Sequence, residues 1–205
     1  MANSYFIVDD HEMLRSGIIG WLKDNTDYTC LGDAGTLEAA MDSLVQLKKN
    51  ATLPDILISD INFNGENSGF NLIAQVREKY PEIKIVVYSM FYSPNVMKEA
   101  VLRGASGYIS KNAKTEELVN CMNTVLTGNN YLEKNLVQNY INYTNIIDSL
   151  TKREAVVVSL LLEHKSNDEI ADALEIKKRS VENYISSIYE KIGVIDRSSL
   201  IAKLS

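Results

Sequence analysis

Two periodicities alternate five times along the first 126 residues of this chain. Short apolar runs lie at Tyr5–Val8, Tyr28–Leu31, Ile56–Ser59, Ile83–Tyr88 and Gly107–Ile109. Between them, apolar residues recur at helical spacing over Met13–Leu22, Leu37–Leu47, Phe70–Tyr80, Val96–Arg103 and Glu116–Leu126. Runs that are apolar on successive residues must be covered on both faces, as parallel strands are. Strands that each lead into a helix build a parallel sheet through right-handed βαβ units. Local signals agree: Thr36 stands where a helix N-cap is needed, and Ser93-Pro94 supplies a cap followed by proline at the first helical position. The fold expected is α/β, a doubly wound five-stranded parallel sheet, whose ligand site lies beyond the carboxyl ends of its strands.

Gly128-Asn129-Asn130 closes the fifth helical segment, and the pattern then changes. Residues 129–147 carry helical spacing at Leu132, Leu136, Val137 and Tyr140 and read as a partly helical linker. Residues 148–205 read as a small all-α domain of short helices. Thr151 with Glu154, and Ser166 with Glu169, form capping boxes. The helix opened by Ser166 should stop near Leu174, and a second should run from Lys177 through Ile188 to Ile192 and end at Gly193. Ile170, Ala171 and Leu174 would then pack against Val181, Ile185 and Ile188, a helix-turn-helix arrangement. Residues 1–128 form the α/β domain of this reading.

Composition narrows the class. Apolar residues make up 45% and charged residues 23% of 205, which excludes wholesale disorder. No apolar run approaches a membrane span, and no basic segment opens the chain as a signal peptide would. Cys30 and Cys121 have neither metal-ligand spacing nor a framework pattern, so two reduced thiols and a cytoplasmic location are expected. A net charge of −6 argues against nucleic acid only until the chain is divided. Residues 1–147 hold 17 acids and 12 bases, whereas residues 148–205 hold 10 and 9 and can present bases on one face.

Polar residues close behind the apolar runs define a chemistry. Asp9 and Asp10 follow the first, Asp60 the third, Ser89 the fourth and Lys111 the fifth. All five should meet on one rim of the sheet. Three converging carboxylates repel one another unless a cation sits among them, and hard oxygen donors with room for water suit Mg²⁺. A carboxylate beside a metal, a hydroxyl and an ammonium can act as a nucleophile toward phosphorus while the cations neutralise the transferring oxygens.

Phe6-Ile7-Val8-Asp9-Asp10-His11, Pro54-Asp55-Ile56-Leu57-Ile58-Ser59-Asp60 and Gly104-Ala105-Ser106-Gly107-Tyr108-Ile109-Ser110-Lys111 resemble the flavodoxin-like receiver domain of bacterial two-component systems. The resemblance implies that Asp60 accepts a phosphoryl group from a sensor histidine kinase. It implies Mg²⁺ ligation by Asp10 directly, by Asp9 through water, by Asp60 and by the backbone carbonyl of Asn62. Ser89 and Lys111 would hold the phosphoryl oxygens, and Tyr108 would be the switch aromatic. The chain departs from the family at Phe63-Asn64-Gly65, where Met-Pro-Gly is usual, and at Met90, where a small residue is usual and a thioether would partly cover Asp60.

Leu150-Thr151-Lys152-Arg153-Glu154, the Ser166–Ala171 segment and Lys191-Ile192-Gly193-Val194 with Arg197 resemble the LuxR-type helix-turn-helix of the NarL/FixJ family. That likeness implies promoter binding as a homodimer, the last helix supplying dimer contacts. The DNA-facing set would be Lys177, Lys178, Arg179, Ser180, Glu182, Asn183, Tyr184 and Lys191. Lys177 replaces the usual serine cap, and Glu182 places a carboxylate where a lysine is common. Together the two resemblances imply a phosphorylation-dependent regulator and not an enzyme in the ordinary sense, its chemistry confined to gain and loss of phosphate at Asp60. A regulator whose receiver acts only in docking or dimerisation is the alternative. A haloacid-dehalogenase-type phosphatase would need an acid two residues after the nucleophile, and that residue is Asn62.

Overall fold

A computed structural model describes residues 3–63 and 68–204; Asn64 and Gly65 of the unusual loop lie outside the described residues. The chain divides into two compact units, one comprising residues up to Val137 except 93–95, the other those three residues and 138 onward.

The first unit is built on a parallel sheet of β1 (Ser4–Val8), β2 (Thr29–Ala34), β3 (Ile56–Ser59), β4 (Lys84–Ser89), β5 (Gly107–Ser110) and β6 (Tyr131–Leu132), in the order β2-β1-β3-β4-β5-β6. The helices are α1 (Glu12–Asn25), α2 (Leu37–Lys49), α3 (Ser68–Lys79), α4 (Pro94–Arg103) and α5 (Thr115–Leu126). Thr36 caps α2 by accepting the Ala39 N–H at 3.1 Å. Strand residues alternate between two covered faces. Tyr5, Ile7, Ile56, Ile58, Val86, Tyr88 and Ile109 pack with Ile18 and Leu22 of α1 and Leu118, Cys121, Met122 and Val125 of α5. Phe6, Leu57 and Val87, the intervening residues, are equally buried. The doubly wound parallel sheet expected from periodicity is present.

One strand was not foreseen. The segment expected to begin as linker opens with β6, which pairs Tyr131 with Gly107 and Leu132 with Tyr108, before α6 (Lys134–Asp148) carries the chain into the second unit. Two residues are too few to show a period, so this strand is specified by the edge it joins and not by its own pattern.

The second unit contains α7 (Lys152–Leu162), α8 (Asn167–Ala173), α9 (Lys178–Ile192) and α10 (Arg197–Leu204). Both capping boxes form, and α9 ends at Gly193 with φ of 71°. Val157, Val158, Leu161, Ile170, Val181, Ile188, Ile192, Leu200 and Leu204 make its core. No helix among the described residues is long and apolar enough to cross a membrane.

Candidate active site and candidate nucleic-acid interface

The sheet order reverses between β1 and β3, and the crevice beyond their carboxyl ends is where the site forms. Register brings the acids together: Val8 pairs with Ser59, and the Asp60 N–H donates to the Val8 carbonyl at 2.9 Å. Asp9 N–H donates to Ala34 at 3.1 Å, and Lys111 N–H to Ser89 at 2.9 Å. Asp9, Asp60 and Lys111 are thus each the first residue beyond a strand, anchored by that strand's neighbour, and Ser89 is the last residue of β4.

Asp60 is 5% exposed, and both its oxygens are engaged. Ser89 Oγ donates to Oδ1 at 2.5 Å, as does the Ile61 N–H at 2.6 Å. Lys111 Nζ lies 2.5 Å from Asp60 Oδ2 and 2.5 Å from Asp9 Oδ2. Burial by itself would lower the Lys111 pKa; hydrogen bonds and charge from Asp60 and Asp9 outweigh it and hold the ammonium above its ordinary value. Lys111 is therefore a fixed positive charge at any physiological pH.

Asp9, Asp10 and His11 bring three possible ligand atoms within 4.8 Å of one another. His11 Nδ1 is 2.7 Å from Asp10 Oδ1 and 3.1 Å from Asp9 Oδ1. Asp60 and Asp9 share one buried ammonium, Asp10 stands beside Asp9, and Asn62 Oδ1 is a buried oxygen with no hydrogen-bond donor among the described residues. This excess of negative charge and oxygen donors fits a hard divalent cation.

Tyr108 lies inward at 1% exposure. Burial, then the neighbouring Asp60 charge, push its phenol pKa far up, so it stays a hydrogen-bond donor. Its hydroxyl donates to the Phe91 carbonyl, while the Phe91 N–H donates to Ser89 Oγ at 3.3 Å. One peptide residue therefore joins Ser89 to Tyr108. Met90 is 52% exposed.

Sequence reasoning assigned no part to Arg15, although it organises the rim. Its guanidinium donates to the Asp9 carbonyl at 2.6 Å and to Asp33 Oδ2 at 2.6 Å. A basic residue one helical turn after His11 was the available signal.

In the second unit, α9 presents Lys177, Lys178, Arg179, Glu182 and Asn183 to solvent, whereas Ser180 and Tyr184 are half-buried. Lys177 stands at the N-cap with no side-chain cap, and Lys178 pairs with Asp168 at 2.8 Å. Lys191 is engaged elsewhere: its ammonium lies 2.7 Å from Glu154, which is 4% exposed and also receives Ser187 Oγ at 2.8 Å. The hydrogen bond from Lys191, followed by that of the Thr151 N–H, holds the Glu154 pKa down at about 2.

A parallel sheet with an acid–lysine–serine rim, followed by a helix-turn-helix, defines the class: a receiver domain joined to a helical regulatory domain. The response regulator receiver domain matches residues 5–123, and the bacterial regulatory proteins of the luxR family match residues 148–204. The chain belongs to the NarL/FixJ family of response regulators. The transcriptional regulatory protein DesR of Bacillus subtilis is 32% identical over 200 residues, covering 98% of this chain and 95% of its own. The DNA-binding transcriptional activator DevR/DosR of Mycobacterium tuberculosis is 28% identical over 200 residues, covering 94% and 89%. In fold, the chain is similar to RcsB of Salmonella enterica serovar Typhimurium bound to a promoter in the presence of a phosphomimetic. That match has a TM-score of 0.72 at 21% identity, over 100% of this chain and 98% of RcsB.

Proposed function

We propose that Asp60 accepts a phosphoryl group from a sensor histidine kinase and that this controls promoter binding by the second unit as a homodimer. The observation that carries the reading is the seating of Asp60 between Ser89 Oγ and Lys111 Nζ, each at 2.5 Å, beside Asp9. An Asp60 oxygen bonds to phosphorus as the donor's phosphorus–nitrogen bond breaks, and the released histidine nitrogen takes up a proton. Lys111 and Ser89 turn from the carboxylate to the phosphoryl oxygens, where their donors stabilise the charge in transfer. Mg²⁺, held by Asp10, Asp9, Asp60 and the Asn62 carbonyl, would supply further positive charge to those oxygens. Movement of Ser89 pulls on the Phe91 peptide and so on Tyr108, the route by which the site reaches the surface. On the DNA side, the N-terminal turn of α9 with Lys177, Lys178, Arg179 and Asn183 meets phosphate and base edges. The chemistry is confined to Asp60, so the protein works as a cytoplasmic switch and not as a turnover enzyme.

The test is incubation with acetyl phosphate and Mg²⁺, read by intact mass. Wild type should gain one phosphoryl group, Asp60→Asn none, and a chelator should reduce wild type to the same result. Stoichiometric labelling of Asp60→Asn would place the nucleophile elsewhere. Labelling of wild type that leaves promoter affinity unchanged would favour the docking-only alternative.

A further inference from the structure

Glu133 is a buried carboxylate in the first unit that the site described above does not use; it is 8% exposed. It stands where β6 becomes α6. The outer edge of β5 would otherwise present unpaired ladder groups, and the chain after Asn130 satisfies them in sequence. Tyr131 N–H donates to Ser106 at 2.9 Å and Glu133 N–H to Tyr108 at 3.1 Å. There the main chain turns away, the Leu136 N–H donating back to the Glu133 carbonyl at 2.8 Å to start α6. The next edge group, the Ser110 N–H, is taken by the Glu133 side chain, Oε2 accepting at 2.9 Å. The carboxylate continues the ladder after its own backbone has left it.

Ser110 immediately precedes Lys111. On the inner side, Lys111 N–H is fixed to the Ser89 carbonyl at 2.9 Å; on the outer side, Ser110 N–H is fixed to Glu133. The end of β5 is therefore held from both neighbours at the residues from which the ammonium reaches Asp60 and Asp9. We infer that Glu133 is a positioning residue for phosphoryl transfer, setting the place of Lys111 through the Ser110 peptide and tying that place to the start of α6. The inference rests on the functional reading of Asp60 given above. The carboxylates in contact with the Lys111 ammonium are Asp60 and Asp9, and Glu133 acts on it through the hydrogen bond to the Ser110 N–H. Coupling is reciprocal: a strain that lifts α6 off the edge loosens Lys111, and a phosphoryl group gripping Lys111 tightens the clamp on the linker.

The experiment compares full-length wild type, Glu133→Gln and Glu133→Leu in initial rates of labelling by acetyl phosphate over a range of donor and Mg²⁺ concentrations. A displacement near 1 Å at a reacting group can slow transfer by up to about 100-fold. Because Lys111 keeps its inner anchor, Glu133→Leu is expected to lower the limiting rate about tenfold. Glu133→Gln retains an oxygen for the Ser110 N–H and should stay within about twofold of wild type. Mg²⁺ affinity by calorimetry should be the same in all three, since Asp9 and Asp10 follow β1. A Glu133→Leu protein that labels at the wild-type rate overturns the inference, and so does equal slowing by both variants, which would make charge the active property. Should Glu133→Leu fail to fold, amide exchange in wild type decides: slow exchange at Ser110 supports the clamp, and exchange at the rate of an open edge overturns it. Absence of labelling in wild type would instead refute the functional reading, and Ser110 exchange would still report on the clamp.

Discussion

Gly69 offers the most demanding test of how the fold positions Asp60. It lies in the first turn of α3, and its N–H donates to the Ile61 carbonyl at 2.8 Å. A Cβ at this position would sit 2.2 Å from the Asp60 carbonyl oxygen, 2.4 Å from Ile61 Cα and 2.6 Å from the Ile61 oxygen. All three are backbone atoms, so no rotamer change relieves the clash. Carbon contacts are comfortable near 3.5 Å, so Gly69→Ala must open a gap of roughly 1 Å between α3 and the residues carrying the phosphoacceptor. Overpacking of this kind costs about 1–3 kcal/mol, and the Gly69–Ile61 hydrogen bond adds about 1 kcal/mol if it is lost. A loss of about 3 kcal/mol should lower the melting temperature of the first unit by roughly 10 °C. If the backbone of Asp60 yields instead, its carboxylate leaves the 2.5 Å contacts with Ser89 and Lys111, and labelling should slow by up to about 100-fold. The assay is a circular dichroism melt paired with acetyl phosphate labelling. Gly17→Ala and Gly20→Ala are the controls: both lie on α1 with nothing within 4 Å of the added carbon, and each should gain about 0.5–1 kcal/mol from helix propensity. A Gly69→Ala protein with both wild-type melting and wild-type labelling would refute the reasoning.

The ion pair between Glu154 and Lys191 makes the second unit acid-sensitive. The native Glu154 pKa of about 2 lies below its ordinary value of 4.5, so its contribution is complete above pH 4.5 and lost as pH falls toward 2. Urea melts across that window should show the decline, and stability independent of pH there would contradict it. Lys191→Met should weaken this dependence and cost about 1–2 kcal/mol at neutral pH, the low end for a pair whose lysine is partly solvated. Glu182→Lys should strengthen nonspecific DNA binding and steepen the log–log salt slope by roughly 0.9 if the new lysine meets one phosphate; an unchanged slope with unchanged affinity would remove α9 from the groove. In the same salt series Lys191→Met should leave the slope as it is, because that ammonium is already held by Glu154.

The parts of the fold legible in the sequence are those whose burial repeats. Phe6, Leu57 and Val87 on one face, and Ile7, Ile58 and Val86 on the other, are apolar because both faces of a parallel strand are covered, and that shows in any window across them. Asp60 and Ser89 were legible because each directly follows such a run, and Lys111 because it is the first charged residue after one. β6, Arg15 and Glu133 were not, since their roles consist of a few contacts made only in the folded chain: β6 with the edge of β5, Arg15 with Asp9 and Asp33, Glu133 with Ser110. Such contacts have no period for a sequence window to detect. Glu154 shows the intermediate case. Its place in a capping box was readable from Thr151, but its pairing with Lys191 joins α7 to α9 across 37 residues. Lys191 consequently reads as one more base near the end of an exposed helix.

The amino end of α9 is arranged against its own helix. Its N-cap is Lys177, which makes no side-chain cap, and Lys178 and Arg179 follow within the first turn. An absent cap costs about 0.5–2 kcal/mol, and three cations oppose the positive end of the macrodipole. Asp168 is the compensating charge: its contact with Lys178 raises the pKa of that ammonium, first through the hydrogen bond and then through charge. A solvated pair of this kind contributes little on its own. The helix nevertheless forms, because Val181, Ile188 and Ile192 are buried in the core of the second unit. The hydrophobic face thus supplies what the terminus lacks, and the terminus is left with uncapped N–H groups and excess positive charge directed at solvent. A DNA phosphate satisfies both at once, accepting the orphan N–H groups and reversing the sign of the dipole interaction. The substitutions that make this terminus poor for an isolated helix are the ones that make it suited to an anionic partner, and Lys177→Ser should stabilise the free protein while weakening its hold on DNA.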